Sequence, residues 1–252
     1  MKKFITAVAV AVCLSLTCSA GRTLYIGHRG CPDAAPENTL SSFRAAVASG
    51  ADAVECDVRL SSDGHLVLMH DGTTGRVWNE DIVPEQSTLG EIKKLRLNSG
   101  FKAAFPHSAG ESVPELCELV EILPAGTVIF TELKTDTEQA RDALLDEIKR
   151  LGIEERTVFI SFSRAAIVYA LERGQRSAWL VSCTSTDEVL GLDIPRGAAL
   201  DVNLRSLDAN TAAELHARGY TVYAWNAENT ADCRRAELMG VDGITCNARR
   251  DK

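Results

Sequence analysis

The sequence predicts an α/β chain folded as a TIM-type (β/α)8 barrel, with a β-hairpin and small insertion after the second strand and a final helix that is short or absent. Three observations predict it. Short apolar runs alternate with amphipathic segments from Arg22 onward, at the spacing of parallel strands and their crossovers. Eight such runs can be placed, enough to close a ring. Polar residues gather where the runs end, the edge on which barrels of this kind carry their chemistry.

The first strand is expected over Thr23 to Ile26, ending in Gly27-His28-Arg29-Gly30. Asn38-Thr39 caps a helix through Val47, and Gly50 closes it. The second strand, Ala53 onward, carries Glu55 and Asp57 two residues apart. Strand side chains alternate, so both carboxylates share a face, about 6 to 7 Å apart along the strand. Cys56 between them points outward as a buried thiol. Ser61-Ser62-Asp63-Gly64 turns the chain, and Leu66 to Met69 returns. A hairpin with Leu60 opposite His65 would set His70 across from Glu55.

Residues 72–112 are less regular and form an insertion on the top face, with one short helix over Thr88 to Leu95. Pro114 to Leu123 reads as a helix, Thr127 to Lys134 as a strand and Thr137 to Leu151 as a long helix. Strands follow at Thr157 to Phe162, Ser177 to Ser182, Ala199 to Leu204, Thr221 to Trp225 and Asp242 to Cys246. Helices separate them at Arg164 to Arg173, Thr186 to Leu190, Asp208 to Arg218 and Thr230 to Met239.

Residues 1–20 read as a secretory signal peptide: Met-Lys-Lys, an apolar run to Leu16, then small residues ending in Ala20. This predicts export to the periplasm or medium, with residues 21–252 as a single domain; lipid anchoring through Cys18 is the alternative. The apolar run is too short for a comfortable membrane span, so no transmembrane segment is expected. The formal charge of −8 becomes −10 once Lys2 and Lys3 are removed, and basic residues occur only as pairs such as Lys93-Lys94. Nucleic acid is therefore excluded as a partner. Six cysteines follow the leader, without a Cys-x-x-Cys, so a structural zinc site is not expected and no disulfide pairing is selected.

His28 and Arg29 end the first strand, Glu55 and Asp57 the second, Glu132 and Lys134 the third, and Trp225 the seventh. Taken singly, each has a structural reading: Glu132 and Lys134 as a plain ion pair, Trp225 as core, Glu37 as loop chemistry fixed by Pro36. Together with His70 they point three carboxylates, two cations and two imidazoles at one cavity. That suits a hard divalent cation beside proton carriers. His65, His107 and His216 show no charged partner at useful spacing and fall to the surface.

His28-Arg29-Gly30, Pro36-Glu37-Asn38-Thr39, Glu55-x-Asp57, His70-Asp71 and Glu132-Leu133-Lys134, in this order and spacing, resemble the glycerophosphodiester phosphodiesterase family. Gly110-Glu111-Ser112-Val113-Pro114, Trp225 and Gly240-Val241-Asp242-Gly243-Ile244-Thr245 extend the resemblance along the chain. It implies hydrolysis of a small-molecule glycerophosphodiester to glycerol 3-phosphate and an alcohol. Glu55, Asp57 and Glu132 would hold one divalent cation, Ca2+ or Mg2+; His28 and His70 would be the acid–base pair; Arg29 and Lys134 would contact phosphate. Trp225 would offer the glycerol carbons an apolar wall, and Glu37 and Asn38 would support the residues around them. The chain departs from the family's usual pattern at Val77-Trp78, at Asn226-Ala227-Glu228 and at Cys246-Asn247-Ala248, which bears on substrate choice. Two other readings stand beside this one. The first is a lysophospholipase D-like enzyme using a groove at Trp78, Phe101 and Phe105; the second is a catalytically silent surface-binding barrel.

Overall fold

The computed structural model describes residues 22–247; the leader and the expected final helix lie outside the described residues. The elements run β1 (Leu24–Gly27), α1 (Leu40–Ala48), β2 (Ala53–Leu60), β3 (Leu66–Leu68), α2 (Leu89–Ile92), α3 (Ser99–Ala104), α4 (Leu116–Ile122) and β4 (Val128–Leu133). They continue α5 (Glu138–Arg150), β5 (Thr157–Ser161), α6 (Arg164–Glu172), β6 (Ser177–Val181), α7 (Thr186–Leu190), β7 (Ala199–Asn203), α8 (Ala209–Ala217), β8 (Val222–Ala227), α9 (Thr230–Met239) and β9 (Gly243–Cys246). Eight parallel strands form the barrel, and β1 closes it by pairing with both β2 and β9. Strand β3 is extra, antiparallel to β2.

Alternation along the strands separates two cores. Ala53, Phe130, Ile160, Ala178 and Leu180 fill the barrel interior, whereas Val54, Cys56, Val58, Ile129 and Phe159 pack under the helices. Each barrel helix supplies a stripe to that outer layer. In α5 it is Ala140, Leu144 and Ile148, four residues apart and all buried. Thr137 caps this helix by accepting from the Ala140 amide, and Glu138 and Lys149-Arg150 sit at the ends the helix dipole favours.

The insertion carries its own small core of Met69, Val77, Trp78, Ile92, Leu95, Leu97 and Val113. Trp78 is only 2 % exposed, so it lines no lipid groove. Phe101 on α3 and Phe105 at its C-terminal cap have ring centroids 6.2 Å apart. Helix α3 itself escapes sequence reading because it buries none of its residues and so shows no apolar period.

The hairpin register differs by one residue from expectation. Leu60 pairs with Leu66, and the Ser61 amide donates to the His65 carbonyl. The loop is thus three residues long, closed by Gly64 at φ +91°, a conformation glycine adopts without cost. Continued as a ladder, this register would turn His70 away from the face of Glu55. The strand stops at Leu68 instead, and the chain bends so that His70 still faces the barrel mouth.

Candidate active site

The site is built at the C-terminal ends of β1, β2 and β4. After β1 the chain must turn sharply inward: Arg29 sits at φ +51° and Gly30 at φ +89°. A Cβ on Gly30 would come within 2.5 Å of the Ser42 backbone, so only glycine fits between this loop and α1. The turn aims the Arg29 amide at Glu55 Oε2, 2.8 Å away. The Arg29 guanidinium reaches Glu37 Oε1 at 2.7 Å and lies 3.2 Å from Asp57 Oδ2. Asn38, itself at φ +53°, donates to Asp57 Oδ2 at 2.7 Å and accepts from the Asp57 amide. Glu37 and Asn38 thereby hold Arg29 and Asp57 respectively.

Glu55, Asp57 and Glu132 each offer an oxygen within 4.8 Å of the other two. At that spacing two like charges repel by about 3 to 4 kcal/mol in a protein surface environment. Lys134 relieves part of this, 2.7 Å from Glu132 Oε1 and 3.4 Å from Asp57 Oδ1. Burial still favours the protonated forms. It acts with Asp57 to hold Glu132 up at about 7, and with Asp57 and Glu132 to push Glu55 well above the carboxylate range. Asp57 is buried too, but Arg29, Lys134 and His70 draw it below its ordinary value. Glu55 Oε1 is buried with no hydrogen-bond partner among the described residues.

Both imidazoles open on the same cavity of about 100 Å3 as Glu55, Glu132, Arg29 and Lys134. His70 Nδ1 is bonded to Asp71 Oδ1 at 2.7 Å, and its carbonyl accepts from Arg59. His28 Nδ1 is 2.5 Å from Asn247 Oδ1. The Asn247 amide group donates to Glu228 at 2.6 Å, which leaves its oxygen for the imidazole N–H. Each ring is thus gripped through Nδ1, which leaves Nε2 as the nitrogen available to substrate. Burial, with Arg29 adding repulsion, lowers His28 to about 4, so its ring is neutral at neutral pH. Trp225 packs edge-on to Phe162, with centroids 5.5 Å apart, and donates from Nε1 to the Asp201 carbonyl.

The residues assigned to the site from the sequence, His28, Arg29, Glu55, His70, Glu132, Lys134 and Trp225, line this cavity, with Asp57, Glu37 and Asn38 bonded behind it. Three contributors were not foreseen. Arg76 ties Glu37 to Asp71 by ion pairs, Asn247 orients His28, and Asp201 lies in the cavity wall. A charged residue inside the apolar run from Ala198 to Val202 was the available signal for Asp201. His65 and His216 lie at the surface as expected, each with a carboxylate partner that sequence spacing does not show: Glu115 at 3.0 Å and Asp242 at 2.9 Å. A groove of about 860 Å3 beside His65 and α5 is larger than the barrel cavity. Among the described residues, however, only Glu55, Asp57 and Glu132 converge closely enough to share one ion.

Such a mouth, on the C-terminal rim of a (β/α)8 barrel, suits an anionic ester that needs both charge neutralisation and proton transfer. Residues 28–249 match the model of the glycerophosphoryl diester phosphodiesterase family. A glycerophosphodiester phosphodiesterase of Caldanaerobacter subterraneus is 33 % identical over 236 residues, covering 88 % of this chain and 93 % of that protein. One from Bacillus subtilis is 27 % identical over 248 residues, covering 91 % and 85 %. The structure of an Oleispira antarctica phosphodiesterase in complex with the product sn-glycerol-3-phosphate superposes with a TM-score of 0.78 at 27 % identity, covering 90 % of this chain and 93 % of that one. The chain belongs to the glycerophosphoryl diester phosphodiesterase family.

Proposed function

We propose that the protein hydrolyses glycerophosphodiesters to glycerol 3-phosphate and an alcohol, with one calcium or magnesium ion held by Glu55, Asp57 and Glu132. The observation that carries this is the convergence of three buried carboxylates, one with an unpartnered oxygen, beside two imidazoles gripped through Nδ1. An all-oxygen donor set selects hard cations over zinc or copper. The charges agree. With all five carboxylates ionised, as ion binding requires, Glu37, Glu55, Asp57, Asp71 and Glu132 stand against Arg29, Arg76 and Lys134, and the two negative charges left over are those one divalent ion cancels.

When bound, the ion withdraws charge from the phosphoryl group. The chain's own residues do the rest. Arg29 and Lys134 orient the phosphate oxygens. His28 and His70 share the proton work, one taking a proton from the nucleophile and the other giving one to the departing alkoxide, each step worth about 10² to 10⁴ in rate. Trp225 and Phe162 supply an apolar wall for substrate carbons. The nucleophile is water or the glycerol 2-hydroxyl. Both outcomes end in the same products, and a transient cyclic phosphate marks the second.

The closest test is product analysis of purified protein on a panel of glycerophosphodiesters, with and without chelator. Glycerol 3-phosphate should form, disappear with chelator and return with calcium or magnesium. Turnover insensitive to chelation would remove the ion from the reading. Export through residues 1–20 belongs to the same proposal, and N-terminal sequencing of the mature protein tests it. Among the described residues no helix is long and apolar enough to cross a membrane.

A further inference from the structure

Asp201 is a carboxyl group that the proposed reaction leaves without a task. It points into the barrel from the middle of β7, opposite Leu180 on β6 and Tyr223 on β8. It is 1 % exposed, and neither carboxyl oxygen has a hydrogen-bond partner among the described residues. Burying a polar group without partners is destabilising, so its persistence in a folded core points to a ligand that completes it. It stands outside the group of three carboxylates that can share an ion.

Its surroundings say which ligand. Strand order divides the cavity: Arg29, Lys134, Glu55, Glu132 and both imidazoles come from β1 to β4 and the residues just beyond them, whereas Ile160, Phe162, Leu180 and Trp225, with Asn226 and Thr245, come from β5 to β9 and just beyond. Asp201 is the acidic group set into that second, mostly apolar wall. Trp225 lies over it, with its indole N–H on the Asp201 carbonyl. Phosphate belongs with the cations. The half of the diester that extends from phosphate towards β5–β8 must then present carbons to the aromatic and aliphatic groups and hydroxyls to Asp201.

We propose that Asp201 is a specificity-determining residue that hydrogen-bonds a hydroxyl of the glycerol half of the diester, making the site selective for polyol phosphodiesters. This rests on the reaction proposed above. Burial, with the charge of Glu132 adding to it, raises the Asp201 carboxyl to about 8, so at neutral pH it is an uncharged acid. An uncharged carboxyl both donates and accepts, which matches a hydroxyl reciprocally, and it does not repel the adjacent phosphate.

The test compares sn-glycero-3-phosphoethanolamine with propyl phosphoethanolamine, the same diester without the glycerol hydroxyls, for the wild type and for Asp201→Asn, Asp201→Ala and Asp201→Leu. In the wild type kcat/KM should favour the glycerol diester. In Asp201→Ala and Asp201→Leu the ratio of the two kcat/KM values should fall about 10- to 100-fold, the worth of one buried hydrogen bond to substrate. Asp201→Asn, which still donates and accepts, should keep the ratio within a few-fold. Melting temperatures add a readout that a structural role would not give: Asp201→Leu relieves an unpartnered polar group and should melt no lower than the wild type. Equal losses on both diesters, a variant that does not fold, or calcium affinity lost in Asp201→Asn by titration calorimetry would each overturn the assignment. A wild type inactive on both diesters would overturn the reaction itself. Activity with an unchanged ratio in every variant would overturn only this inference.

Discussion

His28 shows how much of the proposed chemistry rests on a single contact. Its Nδ1 faces an amide oxygen that Glu228 locks by taking the other end of Asn247. The imidazole can therefore carry its proton only on Nδ1, and Nε2 is left as an acceptor. His28→Ala and His70→Ala should each lower kcat by about 10² to 10⁴ while calorimetric calcium binding persists. Unchanged turnover in either would take that ring out of the reaction. Asn247→Ala should lower kcat by about 10-fold or more with KM little altered, because the ring loses its orientation and not its chemistry. A matched rise in KM would speak against that role. The strand-end positions of His28, Glu55, Asp57, Glu132 and Lys134 made them legible from alternation alone. Asn247 was not legible as a partner, since it lies 219 residues from the ring it holds. Asp201 read as part of an apolar strand because its isolation in space, unlike its position in the chain, leaves no trace in sequence.

At the scale of elements, the insertion is joined to the site through charge. Arg76 places both terminal nitrogens on Glu37 at 2.7 Å and its Nε on Asp71, so one guanidinium steadies the partner of Arg29 and the partner of His70 together. Against its burial, Arg76 and His70 hold Asp71 down at about 2, so the Asp71–Arg76 ion pair stays charged across the working range. Arg76→Ala should lower kcat/KM by about 10-fold or more through both misplaced groups, and Arg76→Lys should recover little, because an ammonium cannot span two carboxylates in fork geometry. Full activity in Arg76→Lys would show that charge alone suffices. Helix starts were legible wherever a short polar side chain preceded an apolar period, as at Thr39, Thr88 and Thr137. The hairpin register was misjudged because one residue of loop length flips a whole strand, and Ser61 can serve either as turn or as ladder.

For the whole molecule, the ion is expected to act as a stabilising ligand. At 100 times its Kd, calcium would add about 2.7 kcal/mol, or roughly 5 to 10 °C in melting temperature for a domain of this size. Scanning calorimetry with and without calcium checks this, and Glu55→Ala should abolish the increment. Glu132 keeps its proton to about 7 when folded, against an ordinary value of 4.5. The metal-free protein therefore carries that extra proton between those values, and calcium must displace it. The calcium increment should thus grow as pH rises from 5 to 7; an increment independent of pH would mean the carboxylates bind no ion. The barrel itself was readable from eight alternating units, since that period repeats along the chain. Closure followed from the count of eight, whereas the particular register of β1 on β9 leaves no signal in either strand. That seam joins the first strand to the ninth, and residue 28 to residue 247. During synthesis the imidazole of His28 cannot be seated until residue 247 has emerged. A nascent chain that has passed residue 132 but not residue 247 holds the Glu55, Asp57 and Glu132 carboxylates without the contact that orients His28.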